Sequence, residues 1–150
     1  DQLSYPTTNI PVNDCVFSFD WTPTAAAQVD GVRIFSSYAD SSNHLAVFAA
    51  LGSLYFRKRI AGTAYDAIKT SFSYSADTTY NIKCRLNSVN GVDVWIDDVK
   101  GTGDANTTNA VLGSTISIGN DDNEANYQTG GINNFTVYSG TFSDAEVVAL

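Results

Sequence analysis

The 150-residue chain has no methionine, two cysteines, two glutamates, three prolines and one histidine, and sets only eight Lys+Arg against sixteen Asp+Glu. Each shortage excludes something. Two thiols, Cys15 and Cys84, cannot build the framework of a small disulfide-rich domain or a thiolate-only zinc site. Eight basic residues in a chain of formal charge -8 do not supply the clustered Lys/Arg of a nucleic-acid or anionic-membrane surface. No apolar run approaches the ~20 residues of a membrane span, so no membrane insertion is expected. The chain opens Asp1-Gln2-Leu3, without an initiator Met or a signal-peptide pattern, and reads as an excised domain or a processed product.

Most catalytic constellations are missing as well. Glycoside hydrolysis needs two tuned carboxylates across one site, whereas Glu124 and Glu146 stand 22 positions apart and Glu146 serves as a helix cap. Asp93, Asp97 and Asp98 flank a strand and read as edge and turn residues. No serine sits in a nucleophile elbow to partner His44, which reads as a surface or edge histidine. The chain is therefore expected not to be an enzyme.

What is abundant points one way. Fourteen of the sixteen acidic residues are Asp, and Asp, Asn, Ser and Gly make turns, whereas the scarce Glu, Lys and Met make helices. Hydrophobic residues at 43% and aromatics at 12% supply a core, and a chain of this length buries roughly 70% of its unfolded surface. One all-β domain over residues 1–150 is predicted. Residues 1–13 read as an extended lead-in. The first clear strand, 14–21, places Cys15, Phe17, Phe19 and Trp21 on one face against Val16, Ser18 and Asp20. Strands follow at 31–38, 44–50 and 53–60, with weaker ones at 63–70 and 72–74. The best-specified unit is a hairpin over 79–99, where Tyr80, Ile82, Cys84 and Leu86 face Val92, Val94 and Ile96. A three-residue loop, Val89-Asn90-Gly91 with Gly91 left-handed, keeps both stripes on one face and pairs Arg85 with Trp95 and Lys83 with Asp97. Further strands are predicted at 114–119 and 132–139. Ser143-Asp144-Ala145-Glu146 is a capping box that opens a short C-terminal helix. This rhythm predicts a two-sheet antiparallel sandwich.

The second half carries a resemblance. Thr79-Tyr80-Asn81-Ile82 opens a hairpin that ends Val94-Trp95-Ile96-Asp97-Asp98. It is followed by Ile116-Ser117-Ile118-Gly119, Gly131-Ile132-Asn133-Asn134-Phe135-Thr136-Val137-Tyr138 and Phe142-Ser143-Asp144-Ala145-Glu146-Val147. This order resembles the laminin-G-like domains of the concanavalin A-like lectin and glucanase superfamily, bacterial and phage versions especially. The resemblance implies a jelly-roll β-sandwich that serves as a carbohydrate-binding or adhesion module of an extracellular or virion-surface protein. The alternative is a structural or assembly domain of a phage tail or capsid appendage, with neighbouring subunits as partners in place of a glycan. The superfamily's Asp in the last strand, often tied to structural calcium, matches Asn133, and the Glu after it matches Asn134.

Sugar faces stack on exposed rings beside amides and carboxylates. By strand parity Trp95 points away from Val94 and Ile96 and is the first candidate, with Arg85 beside it as cation–π cap or ligand. Tyr127 and Tyr38 are secondary. No cofactor is required, although the hard oxygen donors Asp121, Asp122, Asn123 and Glu124, with Asn133, suit calcium. Cys15 and Cys84 both fall on core faces, as free thiols or as a disulfide across the sandwich.

Overall fold

A computed structural model describes residues 3–24, 32–118 and 130–150. In chain order the elements are β1 (Leu3–Pro6), β2 (Cys15–Pro23), β3 (Val32–Asp40), β4 (Asn43–Ala50), β5 (Ser53–Ile60), β6 (Thr63–Lys69), β7 (Tyr80–Asn87), β8 (Gly91–Ile96), β9 (Val99–Lys100), β10 (Thr115–Ile118), β11 (Gly130–Ser139) and α1 (Asp144–Val148). They form a six-stranded sheet, β1-β10-β3-β4-β5-β6, and a five-stranded sheet, β11-β2-β7-β8-β9, with antiparallel neighbours throughout.

The core lies between the sheets because each strand turns one side inward. Phe17 and Phe19 of β2 meet Phe35 of β3 at ring separations of 5.4 and 5.7 Å. Each such side chain contributes about 2–3 kcal/mol of burial. The other side of β2 is buried too. Val16 joins Trp95 and Val147 in a second, smaller cluster, with Tyr138 and Phe142 packed against it, because α1 lies over the outside of the five-stranded sheet. The capping box fixes the start of α1: Ser143 Oγ accepts from the Glu146 amide, and the Glu146 carboxylate accepts from the Ser143 amide at 2.7 Å.

Several expectations are corrected. Within the lead-in, residues 3–6 form a strand that pairs with β10. Phe72 and Tyr74 form no strand; they are buried plugs, Tyr74 against Trp21 at 4.8 Å and Phe72 against Tyr80 at 5.2 Å. The hairpin register is shifted by two residues, so that Lys83 faces Trp95 and Arg85 faces Asp93. The Asn87 carboxamide sets it by accepting from the amides of Val89 and Asn90, which closes the loop one residue earlier. An even shift leaves the apolar stripes on the same face, and Gly91 is left-handed as expected, at φ 86°. Cys15 and Cys84 are buried free thiols on adjacent strands of one sheet, not partners across the sandwich. Burial pushes the Cys15 thiol up to about 12 and that of Cys84 well above its usual value.

Residues 101–110 close one side of the sandwich. Thr102 pairs with Ile68 of β6 and Asp104 with Val92 of β8. Lys58 is buried and donates to the carbonyls of Asn106 and Thr108 at 2.8 and 2.7 Å. Strand alternation therefore sends Lys58 inward and its neighbours Arg57 and Arg59 to the outer face.

Candidate functional site: a charged pocket on the outer face of the hairpin

On the outside of the five-stranded sheet, Arg85 of β7 stands opposite Asp93 of β8 and donates to its carboxylate through Nε and Nη2. Nη1 donates to the Phe142 carbonyl at 2.7 Å, and Nη2 lies 2.9 Å from Asp144 at the start of α1. Lys100 of β9 closes the ring, 2.9 Å from both Asp93 and Asp144. Two cations and two carboxylates thus tie three strands to the helix. Asp144 is held below the usual carboxylate range by the Lys100 hydrogen bond first, and then by the charges of Lys100 and Arg85.

Two glycines let the following loop lie down on the hairpin. A Cβ on Gly91 would overlap the carbonyl of Asp104, and one on Gly103 would overlap the Asp93 carboxylate. The result is a cavity of about 540 Å³ walled by Arg85, Asn90, Asp93, Lys100, Asp104 and Asp144, among others. Carboxylates accept, the guanidinium and ammonium donate, and the Asn amide does both. This set suits a ligand rich in hydroxyl groups. Asp144 keeps 56% of its side chain exposed, so the network leaves acceptor capacity open to the outside.

The sequence placed Trp95 on this face as an exposed platform; it is 1% exposed. Arg85 and Lys100 each sit 5.1 Å over its ring, and the α1 cluster covers the rest, so Trp95 supports the pocket floor and offers no free face. Arg85 lines the pocket from its buried base. Tyr38 is half-buried on the opposite outside of the sandwich, stacked on His44 at 5.5 Å, so it shares no site with Arg85. Tyr127, Asp121, Asp122, Asn123 and Glu124 lie outside the described residues. Asn133 is exposed on β11, level with Asp20. The Asp20 carboxylate is already taken by the amides of Asn81 and Asn134, at 3.0 and 2.7 Å. The described residues contain no group of three or more His, Cys, Asp or Glu placed to hold a metal.

Asp93, Lys100, Asp104 and Asp144 were not singled out as ligands by sequence reasoning. The parity of β8 could have placed Asp93 beside Arg85, had the register been right. Asp144 comes from an element distant in sequence, and its capping-box context gave no hint of a second role. His44 is also corrected: it is 4% exposed in a strand flanked on both sides.

No protein-family model and no curated protein matches the chain. Solved structures do. The binding domain of botulinum neurotoxin serotype D is similar at TM-score 0.71 and 14% identity, over 99% of this chain and 42% of that one. Domains LG4-5 of the mouse laminin alpha1 chain match at 0.71 and 9%, over 91% and 38%. The heptameric SAP-like pentraxin of Limulus polyphemus matches at 0.66 and 14%, over 98% and 79%. The chain spans about two fifths of the toxin and laminin chains. At these identities the likeness establishes the fold alone: an all-β sandwich of two antiparallel sheets, the concanavalin A-like jelly roll that these neighbours share.

Proposed function

We propose that this domain is a non-catalytic carbohydrate-binding or adhesion module of an extracellular or virion-surface protein, and that its glycan sits in the pocket between the hairpin, the loop after β9 and the start of α1. The observation that carries this reading is the pocket itself, about 540 Å³ with donors and acceptors fixed by mutual ion pairing before any ligand arrives. Preorganised polar groups spend little freedom on binding. The neighbours named as binding domains support it as analogy of fold.

The test is a glycan array probed with calcium and with chelator, for the wild type and for the Asn90→Ala/Asp104→Asn protein. Selective binding that the double substitution removes, with the melting temperature kept, is expected. Binding that survives it moves the site elsewhere. A calcium requirement would add the acidic segment at 121–124 to the account.

One observation favours an assembly role instead. Where edge strands β1 and β11 approach, Tyr5, Ile10, Phe135 and Val137 line an apolar cleft of about 240 Å³, and Tyr5 is 49% exposed. An oligomer in solution that Tyr5→Arg converts to monomer, together with a blank array, would establish this second reading.

A further inference from the structure

The outer face of the six-stranded sheet is built differently. His44 lies in β4 between Tyr38 of β3 and Arg59 of β5. Its ring is buried, and among the described residues neither Nδ1 nor Nε2 has a hydrogen-bond partner. A neutral imidazole carries one N–H donor and one acceptor nitrogen. A buried polar group with neither satisfied is an exception in folded proteins and calls for an account.

The surroundings are cationic. Three of the eight basic side chains of this acidic chain, Arg33, Arg57 and Arg59, act electrostatically on His44. Asp66 of β6 is the opposing carboxylate they face, held by Arg57 through two hydrogen bonds of 2.8 and 2.7 Å. Asp40, at the end of β3, is occupied by the Ser42 amide and the Asn43 side chain. Among the described residues Arg59 donates through its Nε, to the Gly62 carbonyl at 3.0 Å. Beside His44 on the same face, Ala46 carries only a methyl group and is buried between Ser36 of β3 and Arg57 of β5.

We infer that this face holds a second binding site, for an oxyanion group (carboxylate, sulfate or phosphate), with Arg59 as its surface cation and the His44 N–H as its inner donor. The site is separate from the hairpin pocket, and its failure leaves the glycan reading standing. It also has a pH signature. Burial, and then the charges of Arg33, Arg59 and Arg57, push His44 down to about 4, with Asp66 opposing them. A bound anion offsets that field and raises the imidazole pKa, so binding takes up a proton and tightens as pH falls from 7 to 5.

His44 is the single histidine, so its ring resonances identify themselves. The experiment follows them in the whole chain during titration with sodium sulfate, with a hexuronate tetrasaccharide and with an uncharged hexose tetrasaccharide, using sodium chloride at matched ionic strength as control. A saturable shift with sulfate or hexuronate, weakened at least tenfold in Arg59→Gln and tighter at pH 5 than at pH 7, is expected. Tighter binding of the hexuronate than of sulfate would assign the anion to a glycan, and the reverse to a free ion. An imidazole unmoved by both anions, moved equally by chloride or the uncharged sugar, or unaffected by Arg59→Gln overturns the inference. A flat pH dependence overturns the role given to His44.

Discussion

The two outer faces of the sandwich handle buried polarity in opposite ways. On the five-stranded side, Arg85 and Asp93 are buried and fully engaged, and Lys100 and Asp144 continue their network to the surface. On the six-stranded side, His44 is as deeply buried and has no partner at either nitrogen among the described residues. The first face shows how a sheet carries charge at rest: each ion is paired, and the pairs also anchor a helix whose five residues could not hold a fold by themselves. The second leaves a buried ring unsatisfied, at a cost in stability that a bound ligand would offset.

Removing one partner on the paired face has the largest expected effect. Asp93→Ala leaves the Arg85 charge buried with less compensation and should cost about 3–5 kcal/mol in urea unfolding. A loss below about 1 kcal/mol would mean that the network is ornamental. The same operation on the other face should be nearly free. His44→Phe keeps the stack on Tyr38, removes two unsatisfied atoms and should leave stability at pH 7 unchanged or raised; a clear loss would reveal a partner for the ring.

Acid separates the faces next. The unfolded chain protonates His44 near 6.5 and the folded chain near 4, so between those values the unfolded state binds the extra proton and stability falls as pH falls. The difference should reach about 2 kcal/mol by pH 5, and wild type compared with His44→Phe should show it. Two smaller effects sharpen the contrast. Ala61 sits left-handed at φ 48° in the β5–β6 turn, and Ala61→Gly should gain about 1 kcal/mol without touching either face's chemistry. Asp144→Asn, at an exposed rim, should cost only about 0.5–1 kcal/mol, less in high salt. Because the Asp144 pKa is lowered, its contribution is present at neutral pH and is lost as acid titrates the carboxylate.

Much of the fold could be read in advance, for local reasons. The alternation of Cys15, Phe17, Phe19 and Trp21, the stripes of the 79–99 hairpin and the capping box are patterns within one element, and all appear. What could not be read depends on neighbours. Parity correctly sent Trp95 outward, but whether an outward ring meets water depends on α1, some 50 residues later. The register error paired Arg85 with Trp95 in place of Asp93 and so concealed the ion pair that organises the pocket. His44 opens a strand in sequence and looked like an edge residue; β3 and β5 on either side bury it. Arg57-Lys58-Arg59 reads as one basic run, yet alternation places its middle member against the carbonyls of Asn106 and Thr108.

The most direct test of the glycan reading is a map of backbone amide shifts as the best array ligand is titrated into the intact chain. The account predicts shifts confined to residues 85–105 and 142–146, with β3 to β6 silent for an uncharged glycan. Shifts centred on β3 to β6, with the hairpin pocket silent, would contradict it.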